Sequence, residues 1–136
     1  MTPVEIWTTC RSAINASWTE TPVAWPNRDF DPAVDAPNNK WMRPTIKMGD
    51  TFEGEKGEDG IGIRTGVLFL DIFVGKDKGN RSALVYSVKL ERMFRKKNLD
   101  NINFDEVSTN DIGVYDKNSP YYQIQVKVPF WAWVGE

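Results

Sequence analysis

Arg64–Lys97 reads RTGVLFLDIFVGKDKGNRSALVYSVKLERMFRKK, and the fold turns on how this stretch divides. Its first part alternates, with Leu68, Leu70, Ile72 and Val74 set against Val67, Phe69, Asp71 and Phe73. Period-two patterning in β-branched and aromatic residues predicts a strand near the centre of a sheet. Gly75 and Gly79 bracket a short turn at Lys76–Lys78, after which Asn80 is placed to cap a helix. Arg81–Lys97 is that helix. Ala83, Leu84, Ser87, Val88, Leu90, Glu91 and Phe94 lie near one broad face, which is expected to cover the sheet.

The flanking sequence adds elements to this unit. Tyr121–Val134 predicts a second long strand, with Tyr122, Ile124, Val126, Val128 and Phe130 facing the core and Tyr121, Gln123, Gln125 and Lys127 facing water. Pro129 is expected to mark a bulge or edge near its end, and Trp131 and Trp133 fall on the wet face. At the N-terminus, Thr2 caps a helix with Pro3 in its first position, and Trp7, Cys10, Ile14 and Trp18 form its apolar stripe. Prolines at 22, 26, 32 and 37 leave room only for a short strand at Val23–Trp25 and an ordered surface loop. Lys40–Met48 is expected to be a strand that Pro44 confines to an edge or a bulge. Ile102–Val107 is a further short strand, and Asn110–Asn118 a polar turn.

The chain's bulk properties exclude much chemistry. A length of 136 residues is that of one domain, 1–136, with 40% hydrophobic and 26% charged residues in the ordinary globular range. Composition alone describes a small soluble α+β domain. There is no histidine, which removes the commonest general base and metal ligand and every Ser–His or Cys–His pair. The single Cys10 forms no intramolecular disulfide and no thiolate zinc site, and it suits a reducing cytoplasm. A net charge of −2, from 19 acids against 17 bases, speaks against a dedicated nucleic-acid binder. The N-terminus does not read as a signal peptide, and no apolar run approaches the roughly 20 residues of a bilayer span.

Three features invite a functional reading. Asp50–Gly62 carries Asp50, Glu53, Glu55, Glu58 and Asp59 among four glycines, too little apolar area to order itself, so an acidic hairpin tip or loop is expected. It fails as a calcium loop, because Phe52 and Gly54 stand where oxygen ligands are required. Arg92, Arg95, Lys96 and Lys97 cluster in the last helical turn, where they complement the helix dipole or contact a phosphate or partner. Finally, Val67, Phe69 and Phe73 are more apolar than a wet strand face requires. With Trp131 and Trp133 they form either a subunit interface or a surface covered by the loop from Trp25 to Lys40.

The order of segments carries a resemblance across nearly the whole chain. A capped helix leads to TPVAWPNRDFDP, then to WMRPTIKMGD, a glycine-containing loop, the strand–Gly–helix unit and a terminal YYQIQVKVPFWAW strand. It resembles the tail terminator (tail completion) proteins of long-tailed bacteriophages, most closely in Pro22–Asn27, Arg64–Phe94 and Tyr121–Phe130. The resemblance implies a mixed or antiparallel sheet with two main helices packed on one side. It also implies a non-enzymatic virion protein without cofactors or a membrane partner, assembled in the host cytoplasm and located at the head–tail joint. Its expected partners are copies of itself in a ring, typically a hexamer, the tail tube protein, a head-completion or connector protein, and DNA that passes without specific binding. In such a ring the acidic Asp50–Asp59 loop faces the channel and repels phosphates. The alternatives are a head-closure adaptor or tail tube protein, a nucleic-acid module using Arg92–Lys97 with Trp131 and Trp133, and a hydrolase using Glu53 and Glu58 or Asp105 and Glu106.

Overall fold

The computed structural model describes residues 2–53, 62–75, 80–114 and 120–134, apart from the side chains of Phe52 and Glu53. Helix α1 (Pro3–Ser17) begins as expected, with the Thr2 Oγ accepting from the Glu5 N–H at 3.2 Å. Strand β1 (Lys40–Glu53) runs five residues past the expected end, through a register shift between Met48 and Thr51, and pairs antiparallel with β2 (Gly62–Gly75). Helix α3 (Arg81–Phe94) follows, a four-residue α2 (Pro32–Asp35) having appeared where only loop was expected. The rest is β3 (Asn98–Leu99), β4 (Ile102–Phe104), β5 (Ser108–Gly113) and β6 (Tyr121–Val134).

The fold is α+β. Six strands form one sheet in the order β1-β2-β6-β4-β3, with β5 also on β6 and every strand pair antiparallel. The two alternating strands are therefore central neighbours, paired from Gly62↔Val134 to Gly75↔Tyr121. Both long helices cover the same face. Ile6, Cys10 and Ile14 of α1 and Ala83, Tyr86, Leu90 and Phe94 of α3 share one core with Leu68, Leu70, Ile72, Ile124, Val126 and Val128. Each fully buried aliphatic side chain contributes roughly 1.5–3 kcal/mol through removal from water, so this layer dominates the stability.

Several expected elements shift for physical reasons. In α1 the buried stripe starts at Ile6, while Trp7 lies half-buried, edge-on to Trp25 at 5.8 Å. Val23–Trp25 is one parallel bridge to Met42, not a strand. Asn80 makes no side-chain cap bond and lies beside the Tyr122 hydroxyl instead. Helix α3 stops at Phe94 because Lys96 takes a left-handed φ of 52°, so only Arg92 of the four basic residues lies in the last turn. Part of the expected polar turn is β5, paired with β6 from Ser108↔Lys127 onward.

Both strand prolines fit where a missing N–H is harmless. Met42 bonds outward to Pro22 and Ala24, so Pro44, two residues on, also turns its nitrogen to the open edge. Pro129 does not end β6. Its carbonyl accepts from Asp105 N–H, so its nitrogen faces the gap between β5 and β4, away from β2.

Candidate functional site

Odd-numbered residues of β2 and β6 point away from the two long helices, and this second face changes character along its length. At one end Trp41 stacks on Phe73, with centroids 4.0 Å apart and planes at 12°. Phe30 and Tyr121 pack around Trp41 at 5.2 and 5.8 Å, and Ala24 and Ala36 complete a small second core. The segment between α1 and β1 thus closes over this end. Phe73 is only 9% exposed, which removes it from the expected subunit interface. Covering a stacked aromatic pair takes a large apolar area out of water, enough to order a proline-rich segment that has little regular structure of its own.

The middle of the face is a polar node. Asp71 is buried, and its carboxylate accepts from Gln123 Nε2 at 2.8 Å and Gln125 Nε2 at 3.0 Å. Arg43 Nη2 lies 3.4 Å from its second oxygen, with the guanidinium over the Phe73 ring. A buried carboxylate is tolerated because donors and a cation satisfy it from both neighbouring strands. This explains the one acid in an otherwise apolar strand.

Beyond that node nothing among the described residues closes the face. Val67, Phe69 and Trp131 lie half-buried, and Trp133 is 45% exposed and edge-on to Trp131 at 5.3 Å. Lys127 Nζ lies 6.0 Å from the Phe69 ring centroid. Lys47, Val67, Phe69, Asp105, Pro129 and Trp131 line an open groove of about 550 Å³. The structure therefore brings together four of the five residues expected to form a subunit interface, and hides the fifth, Phe73.

The other predicted sites fare differently. Of the acidic loop, Asp50 is exposed at the end of the groove, whereas the side chain of Glu53 and all of Glu55, Glu58 and Asp59 lie outside the described residues. The basic cluster is split. All four residues are exposed, but Arg95 Nε and Lys96 Nζ each lie 3.1 Å from Glu106, while Arg92 and Lys97 make no ion pair among the described residues. Hydrogen bonds from Arg95 and then Lys96 hold the Glu106 carboxyl below its usual pKa, and the bond to Glu106 raises that of Arg95. Glu106 is thus an ion-pair partner, separated from Asp105 at the groove. No group of three His, Cys, Asp or Glu side chains converges among the described residues.

One surface was missed by sequence reasoning. Leu84, Val85 and Val88 of α3 are 42, 42 and 44% exposed. The expected face included Leu84 and Val88, but the helix is rotated so that Ala83, Tyr86, Ser87, Leu90 and Phe94 are buried. The small residues Ala83 and Ser87 were the available signal, since they let the helix approach the sheet on their side.

No family model and no curated protein matches the chain. Among solved structures, one of a protein without a functional name superposes with a TM-score of 0.62 and 16% identity, over 93% of this chain and 94% of its own. A likeness at that identity shows the fold alone.

Proposed function

We propose that this chain is a structural protein of phage assembly that caps the completed tail tube as a ring, ends tail polymerisation and provides the surface for head attachment. The observation that carries the reading is the half of the second sheet face that none of the described residues closes. There Val67, Phe69, Pro129 and Trp131 line one open groove, next to an end of the same face that is closed by the chain itself. A patch left open beside one closed with four aromatic rings marks a contact with another protein. Self-association fits a chain whose segment order resembles ring-forming tail terminators. The basic cluster does less for a nucleic-acid reading, because Arg95 and Lys96 already face Glu106.

Sedimentation velocity and negative-stain microscopy of the purified protein, alone and with tail tubes, test this reading. Rings with a central hole, or caps at one tube end, are expected. A monomer at all concentrations that leaves tube ends bare overturns it, and binding to portal-bearing heads instead assigns the protein to the head side of the joint.

A further inference from the structure

Resting on the ring reading, the question is which surfaces meet between copies. The sheet edges are poorly suited. On β1 the open edge is occupied by the Val23 bridge at Met42, lacks an N–H at Pro44 and is broken by the register shift after Met48. At the far side β3 has two residues, and β5 has six with a register shift after Asp111. Proline, bulges and short strands are the usual devices that keep sheet edges from pairing. Among the described residues two apolar surfaces built on the long elements stand out, the groove on the second face and the ridge of α3, and they lie on opposite layers of the molecule.

We infer that the Leu84–Val85–Val88 ridge of one copy seats in the Val67–Phe69–Trp131 groove of the next, in a head-to-tail contact that repeats around the ring. The relief is complementary. The ridge consists of neighbouring side chains at three- and four-residue helical steps, and the groove has about 550 Å³ to receive them.

The charges select the same pairing. Arg81 and Arg92 flank the ridge, neither in an ion pair among the described residues, and a helical rise of 1.5 Å per residue sets them about 16 Å apart. Two exposed acids lie at the groove, neither in an ion pair among the described residues: Asp105 lines it, and Asp50 follows Gly49, which also lines it. The Asp50 carbonyl accepts from Thr65 on the β1 side, and the Asp105 N–H donates to Pro129 on the β4 side. Three strand spacings separate those sides, about 14 Å. Glu91, one turn past Val88 and only loosely paired with Arg95 at 3.9 Å, offers a counterpart to Lys47, the cation lining the groove. A ridge-to-ridge dimer would instead place arginines against arginines. A heterologous contact of this kind closes into a ring when its rotation allows.

Cysteine cross-linking of the full chain, alone and with tail tubes, tests the pairing. Buried Cys10 stays silent, so Val67→Cys and Val88→Cys supply the reporting thiols, with thermal melts confirming that both variants fold. Under mild oxidation each single variant is expected to remain unlinked. Their equimolar mixture should give disulfide dimers, and the double variant a ladder ending in a closed species. An unlinked mixture that still forms rings overturns the pairing and leaves the ring reading standing. Self-linking of Val88→Cys alone overturns it in favour of a symmetric dimer, and an unlinked monomer in every assay removes both. As a second measurement, Arg81→Glu with Arg92→Glu should weaken self-association at least tenfold, and Asp50→Lys with Asp105→Lys should restore it. Unchanged association after the arginine reversal counts against the charge pairing.

Discussion

At the scale of single residues, two positions are constrained by space alone. A Cβ on Gly66 would lie 2.5 Å from Phe130 Cζ and 3.0 Å from the Lys47 carbonyl, so the ring that closes this end of the helix-side core needs a glycine opposite it. Gly66→Ala is expected to cost about 1–3 kcal/mol, the range for forcing extra atoms into a packed core, and to lower the urea midpoint. Cys10 shows the reverse problem, a titratable group with no room for its charge. Burial pushes its thiol up from 9.0 to about 12. Because the folded pKa lies above the unfolded one, the stability this group confers is complete below pH 9 and is lost as pH rises toward 12. The urea midpoint should therefore fall between pH 9 and 11, and fall less in Cys10→Ala. At pH 8 a thiol reagent should label the native protein far more slowly than the protein in urea.

At the scale of elements, β2 serves two surfaces with one strand. Its even-numbered side from Leu68 to Val74 lies in the core beneath α1 and α3, whereas its odd-numbered side passes from closed core to polar node to open groove within eight residues. Two substitutions on that same side should therefore behave oppositely. Phe73→Ala removes the partner stacked on Trp41 and should cost about 3–5 kcal/mol, read as a lower melting temperature. Val67→Asp, in the open groove, should leave the melting temperature within a few degrees of the parent and abolish ring formation. If Val67→Asp unfolds the monomer instead, the groove belongs to the core and not to an interface.

At the scale of the whole molecule, the distribution of acids bears on the proposed ring. Five acids fall between positions 50 and 59. Asp50, which is exposed, and Glu53 lie at the end of β1, and the other three lie outside the described residues. In the ring reading this acidic stretch borders the channel, where negative charge keeps DNA from adhering. Replacing Glu53, Glu55, Glu58 and Asp59 with their amides, and leaving Asp50 in place because it borders the groove, should leave ring assembly intact and slow DNA delivery, measured as infectivity of reconstituted particles. Unchanged delivery would remove the channel placement. Much of the architecture was legible beforehand. The β2 and β6 alternation, the α1 cap at Thr2 and the edge position of β1 implied by Pro44 all follow from local rules. Three features were not legible. Strand β5 is a polar stretch, STNDIG, whose pairing is supplied by β6 and not by its own pattern. The end of α3 depends on a left-handed Lys96, a conformation that a lysine does not announce. The rotation of α3 was misread because Leu84 and Val88 are as apolar as the residues that pack.

The sequence by itself determined the α+β class, the two long alternating strands, the two helices and the absence of histidine chemistry, because periodicity, caps and composition are properties of the chain. Only the tertiary structure decided how the strand opened by Arg64–Val74 divides its outer side. Phe73 and Phe69 are the same residue type on the same face, four positions apart, and no local rule separates them. What separates them is distant in sequence. The segment from Ala24 to Trp41 folds over Phe73 and stops short of Phe69, and Asp71 with Arg43, Gln123 and Gln125 marks the boundary between them.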